Sequence, residues 1–159
     1  DLDVEGLRSP LWVKDQLFAI KNEAEIWRLD PDQNLLEKVY TGEHPIARIL
    51  DRNQENSQLL LIESEASYDL LVFDIQSRQV VARVPGQIKM SPEKMVDCRS
   101  VPTNSHFTGI DLVGFYVFDW TTQTLKDYSD SFVSPFWSPV VNGFIVNSLD
   151  CGSLDIIYP

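Results

Sequence analysis

Carboxylates are the commonest chemically capable groups in this 159-residue chain, 24 Asp and Glu against 13 Lys and Arg. Glu63 with Glu65, Asp127 with Asp130 and Asp150 with Asp155 are pairs of the kind that flank a glycosidic bond, one carboxyl as acid and the other as base or nucleophile. With so many acids such pairs arise by chance, and no spacing selects one of them. The two histidines, His44 and His106, fall in loop segments without the spacing that places two metal ligands on one face. No Gly-x-Ser-x-Gly elbow presents a serine nucleophile, and the seven glycines are scattered singly instead of forming a phosphate-cradling loop. The residues therefore give no catalytic group, no metal site and no cofactor.

Three aspartates recur with a period, which points to structure. Asp30, Asp74 and Asp119 end the runs Glu25-Ile-Trp-Arg-Leu-Asp30, Asp69-Leu-Leu-Val-Phe-Asp74 and Phe115-Tyr-Val-Phe-Asp119, at spacings of 44 and 45 residues. A polar turn and another apolar run follow each one. An Asp at the end of a strand can accept hydrogen bonds from turn N–H groups and so fix a hairpin. Asp30, Asp74 and Asp119 are therefore expected to be turn formers.

The elements around them read as strands throughout. Further apolar runs precede each hairpin, Leu17 to Ile20, Leu59 to Ile62 and Phe107 to Leu112, and a fourth copy begins at Gly143-Phe-Ile-Val-Asn-Ser148. Proline marks the entry to each unit at Ser9-Pro10, His44-Pro45, Ser91-Pro92 and Ser134-Pro135. Four strands per 40–45 residues is the arithmetic of a β-propeller blade. The expected fold is all-β, a propeller-like array of about four four-stranded blades in one domain, with units near 8–41, 42–85, 86–130 and 131–159 plus 1–6. Either the segment from Asp1 to Val4 supplies the missing strand of the fourth blade, or the array is part of a larger propeller. Equivalence under the repeat gives Trp12 and Trp137 a packing role between blades, Trp27 is expected in the core, and Trp120, which follows Asp119 where the second unit has Ile75, is expected to pack.

The formal net charge of −11 excludes a phosphate-binding surface, so no nucleic acid is expected, and it disfavours anionic lipid. No apolar run approaches the ~20 residues of a membrane span. The opening without Met suits a processed protein or an excised fragment. Cys98 and Cys151 are either one disulfide, which implies an oxidising compartment, or two core thiols.

Val133-Ser-Pro-Phe-Trp-Ser-Pro139, Gly143-Phe-Ile-Val-Asn-Ser148, Gly152 and Asp155-Ile-Ile-Tyr158 together resemble the WD40-like repeat of TolB-type propellers. Ser9-Pro-Leu-Trp12 with Leu17-Phe-Ala-Ile20 is similar but lacks the second Ser-Pro. Such repeats occur in periplasmic TolB, in the propellers of prolyl-oligopeptidase-like enzymes, and in extracytoplasmic sensor regions of membrane-tethered regulators resembling CadC. The resemblance implies a non-catalytic sensor or interaction module, periplasmic or otherwise extracytoplasmic. The alternatives are the propeller portion of a hydrolase or peptidase, and a cytoplasmic scaffold. Propellers bind through loops at the channel rim, which here selects His44, Glu65, Tyr68 and Asp150. The expected partner is a protein or a small signal molecule, and uncovered sheet edges would favour a homodimer.

Overall fold

The computed structural model describes residues 4–64, 68–88, 99–102, 106–111, 115–128, 132–148 and 153–159. They form two compact units, residues 1–87 and 88–159. In the first unit, β1 (Arg8–Val13), β2 (Gln16–Lys21), β3 (Glu25–Asp30) and β4 (Leu35–Thr41) pair in sequence order as an antiparallel meander. A second sheet repeats that order with β5 (Ile46–Asn53), β6 (Gln58–Ser64), β7 (Tyr68–Asp74) and β8 (Gln79–Ile88). The second unit holds β9 (Arg99–Pro102), β10 (Phe107–Asp111), β11 (Phe115–Asp119) and β12 (Thr124–Asp127), and a three-stranded sheet of β13 (Phe132–Ser138), β14 (Gly143–Ser148) and β15 (Leu154–Ile157). Among the described residues there is no helix.

Apolar burial explains why these runs become strands. Leu59, Leu61, Leu71 and Phe73 project from β6 and β7 into a cluster with Phe18, Ile20, Ile26 and Ile46 of the first unit. Their alternates Leu60, Ile62, Leu70 and Val72 are buried too, so the unbroken apolar runs are strands covered on both faces. Each fully buried side chain of this size contributes roughly 1.5–3 kcal/mol. Pro85 is tolerated within β8 because that strand lies at a sheet edge.

The second unit packs through rings. Phe144 meets Phe115 at 5.3 Å and Trp137 at 5.0 Å between centroids, both edge-on. A Cβ added at Gly109 would lie 2.6 Å from Phe144 Cε1, so only glycine lets β10 pass that buried ring.

One loop design recurs. Four residues separate the strands of the β3–β4, β5–β6, β7–β8, β11–β12 and β13–β14 hairpins. The last of the four is left-handed each time: Asn34 (φ 49°), Ser57 (54°), Arg78 (57°), Gln123 (55°) and Asn142 (49°). In four of these hairpins the residue ending the first strand accepts hydrogen bonds from the loop. Asp30 Oδ1 accepts from Gln33 N–H at 3.0 Å, Asn53 Oδ1 from Asn56 at 3.1 Å and Asp74 Oδ1 from Ser77 at 2.7 Å. Asp119 Oδ1 accepts from Thr121 at 2.7 Å and Thr122 at 3.2 Å.

Three sequence expectations need correction or relocation. The strand pairing with β10 is β9 at Arg99–Pro102, later than the Ser91-Pro92 marker, which lies outside the described residues. Trp12 is not packed like Trp137: it is 49% exposed against 8%. Pro10 and Trp12 are exposed where the aligned Pro135 and Trp137 are buried, so these positions face opposite ways in β1 and β13. Trp27 is half-buried at the surface and not in the core, whereas Trp120 is buried and donates its indole N–H to Thr108 Oγ1 at 2.7 Å. Residues 1–3 of the proposed closing strand lie outside the described residues, and Val4 is in no strand.

Candidate functional site

Antiparallel connection places the β1–β2 turn beside the β3–β4 loop, and the β5–β6 and β7–β8 loops at one end of their sheet. The β1–β2, β5–β6 and β7–β8 turns surround a cleft of about 340 Å³ within the first unit. Its floor is apolar, with Val13, Phe18 and Ile75, and its walls carry Lys14, Ser57, Gln76, Arg28 and Arg78. Ile75 N–H donates to the Ser57 carbonyl at 3.0 Å, which holds two of the turns side by side. Lys14 Nζ donates to Ser57 Oγ at 3.3 Å, across 43 residues of sequence.

Charge is concentrated there. The Arg28 and Arg78 guanidinium groups both meet Glu37 Oε1, the latter at 3.1 Å. Asp15 is the acid in the cleft lining. Among the described residues no carboxylate lies within ion-pair distance of Lys14. Lys14 (φ 56°), Ser57 and Arg78 all sit in left-handed backbone, which costs roughly 1–2 kcal/mol for a residue with a side chain. Glycine would relieve that cost; the three residues line the cleft, and the same left-handed backbone recurs outside it at Asn34, Gln123 and Asn142.

The sequence-selected rim residues lie elsewhere. His44 and Tyr68 are half-buried at the far end of the β5–β8 sheet from the cleft. They are near each other in the chain path, since the carbonyl of Pro45 accepts from Ser64 N–H at 2.7 Å and Ser64 pairs with Tyr68. Glu65, Asp150, Cys98 and Cys151 lie outside the described residues. Each carboxylate pair likewise has one member outside them, Glu65, Asp130 or Asp150. His106 is exposed, with Nδ1 3.3 Å from Thr121 Oγ1. Among the described residues no three His, Cys, Asp or Glu side chains gather as metal ligands.

The same far end carries two ion-pair clusters. Glu63 is 1% exposed, and its Oε2 accepts from Arg83 Nη1 at 2.5 Å, which also reaches Asp69 at 2.8 Å. Burial and the nearby Glu63 charge push the Tyr40 hydroxyl above its ordinary pKa. In the first sheet, Glu25 Oε2 accepts from Trp27 Nε1 and Asn22 Nδ2, both at 2.9 Å, while Oε1 accepts from Lys38 Nζ at 3.0 Å. Lys21 Nζ stands 5.3 Å from the Trp27 ring centroid, a cation–π contact.

No family model matches the chain, and no curated protein matches it. Solved structures do. A computationally designed protein, Ika4, superposes with a TM-score of 0.61 at 10% identity, over 96% of this chain and 90% of that one. A putative TolB from Agrobacterium tumefaciens gives 0.56 at 14% identity, over 94% of this chain and 56% of that one. Pyrococcus horikoshii acylaminoacyl peptidase gives 0.56 at 12% identity, over 97% of this chain and 32% of that one. The chain thus spans about half or less of these natural proteins. At such identities the likeness establishes the fold: an all-β, propeller-type array of small antiparallel sheets.

The Glu25 cluster has a pH consequence. The Trp27 N–H, then Lys38 and Asn22, hold its carboxyl down to about 2 from an ordinary 4.5. A carboxylate with a depressed folded pKa stabilises the fold fully above the unfolded value, and that stabilisation is lost as pH falls through the folded one. Urea unfolding between pH 5 and about 2 should therefore show a decline in stability that Glu25→Gln makes shallower. Identical slopes for the two proteins would remove Glu25 from the acid response.

Proposed function

We propose that the chain is a non-catalytic binding module whose first unit recognises a small molecule, or a side chain of a protein partner, in the cleft between the three turns. The cleft carries this reading. Its volume of about 340 Å³ is that of a small-ligand site, and an apolar floor with a few convergent polar groups is what such sites use for affinity and orientation. Loop residues held by a rigid sheet are the usual place for recognition.

The resemblance of the fourth repeat to TolB-type repeats supports a finer version, a sensor region outside the cytoplasm such as that of a membrane-tethered regulator. A second reading, part of a larger hydrolase, draws on the likeness to acylaminoacyl peptidase, of which this chain spans 32%. A hydrolase domain encoded beside this segment would decide for the second reading.

Two measurements test the proposal. A ligand that binds only the folded state raises the unfolding temperature by mass action, so a fragment library screened against the full chain should yield hits in this way. Gln76→Trp, which places a bulky ring at an exposed turn position lining the cleft, should abolish those shifts. Hits that persist in Gln76→Trp would move the site elsewhere. Protein purified without reductant should show Cys98 and Cys151 joined as a disulfide if the module works outside the cytoplasm, and two freely labelled thiols would contradict that location.

A further inference from the structure

The chain carries a formal charge of −11, yet three of its 13 basic residues, Lys14, Arg28 and Arg78, line one cleft. Two acids answer them, Asp15 in the lining and Glu37 shared between the two arginines. One positive charge is left in excess. It belongs most directly to Lys14, whose ammonium has Ser57 Oγ for a neighbour and no carboxylate partner among the described residues. The same lining includes the buried Val13 and Phe18 and the half-buried Ile75.

From this arrangement we propose that the cleft binds a carboxylate carried on an apolar body, with Lys14 and Arg78 contacting the anion and Ser57 orienting it. The inference rests on the reading of the cleft as the binding site and names the ligand class for it. Lys14 is exposed, with Ser57 Oγ as its neighbour, and a carboxylate brings it both opposite charge and hydrogen-bond acceptors. An inorganic anion would leave the half-buried Ile75 uncovered, and a neutral apolar molecule would bring no charge to Lys14. The ligand is either a free carboxylic acid or the carboxylate of a peptide C-terminus, which present the same group.

Titration of the full chain, followed through the backbone amide resonances of Lys14, Ser57 and Arg78, tests this with four probes: hexanoate, hexanamide, inorganic phosphate and a short apolar peptide with a free C-terminus. Hexanoate or the peptide should shift these resonances, and whichever binds more tightly identifies the source. Hexanamide and phosphate should bind at least about tenfold more weakly, the scale of one charge-assisted hydrogen bond. Lys14→Gln should weaken hexanoate by a similar factor. Lys14→Gly should lose binding while raising the unfolding temperature, because the strained backbone is relieved. A purely structural Lys14 would lower that temperature instead, and that result overturns the proposal. Equal binding of hexanamide and hexanoate overturns the carboxylate assignment but leaves the cleft a binding site. If no probe shifts these resonances while library hits remain sensitive to Gln76→Trp, the anion inference fails and the broader reading survives. If those hits are also absent, both fail.

Discussion

The hydrogen bond from a turn N–H to the side chain that ends the preceding strand is the interaction on which the other features depend. A hairpin loop of four residues turns some of its N–H groups inward, where they need acceptors. It also needs its last residue left-handed to bring the chain back into register. Asp30, Asn53, Asp74 and Asp119 supply the acceptor. Asn34, Ser57, Arg78 and Gln123 supply the left-handed residue of the same loops. With both parts in place the strands meet in the register that buries Leu59, Leu61, Leu71 and Phe73. A slip of one residue would carry them to the opposite face.

The same loops set the cleft proposed as the binding surface. Because the β5–β6 and β7–β8 hairpins use one loop design at one end of one sheet, Ser57 and Arg78 emerge side by side, and the shorter β1–β2 turn brings Lys14 against them. The left-handed residue costs stability when it carries a side chain, and the capped loop absorbs that cost. In the first unit a stabilising structural device and a chemically equipped cleft are therefore parts of one arrangement. The ion-pair clusters around Glu25 and Glu63 occupy the other ends of the same strands.

Sequence carried some of this and hid the rest for identifiable reasons. The apolar runs are dense enough that the strands and the all-β class follow from them, and the aspartates at 30, 74 and 119 stand at a spacing that the eye can find. Asn53 accepts from Asn56 as the aspartates do from their own loops, but Asp51 and Arg52 break the apolar run before it, so the sequence does not mark it as a strand end. Trp12 looked equivalent to Trp137 because the Ser-Pro-x-x motif aligns them. The β1–β2 turn has two residues where β13–β14 has four, and Trp12 faces outward where Trp137 faces inward. The cleft was invisible because a lysine, a serine and an arginine in polar turns read as solvated surface. Their convergence depends on contacts across 43 residues.

Asp74→Ala tests the dependence on turn capping most directly, with stability read from denaturant unfolding and local protection from amide hydrogen exchange at Ser77. Removing the Asp74 acceptor, which takes exposed hydrogen bonds from both Ser77 N–H and Ser77 Oγ, should lower the unfolding free energy by about 1 kcal/mol. The Ser77 amide should exchange faster while amides in β6 keep their protection. Unchanged stability with an unchanged Ser77 exchange rate would show that the hairpin closes without its cap.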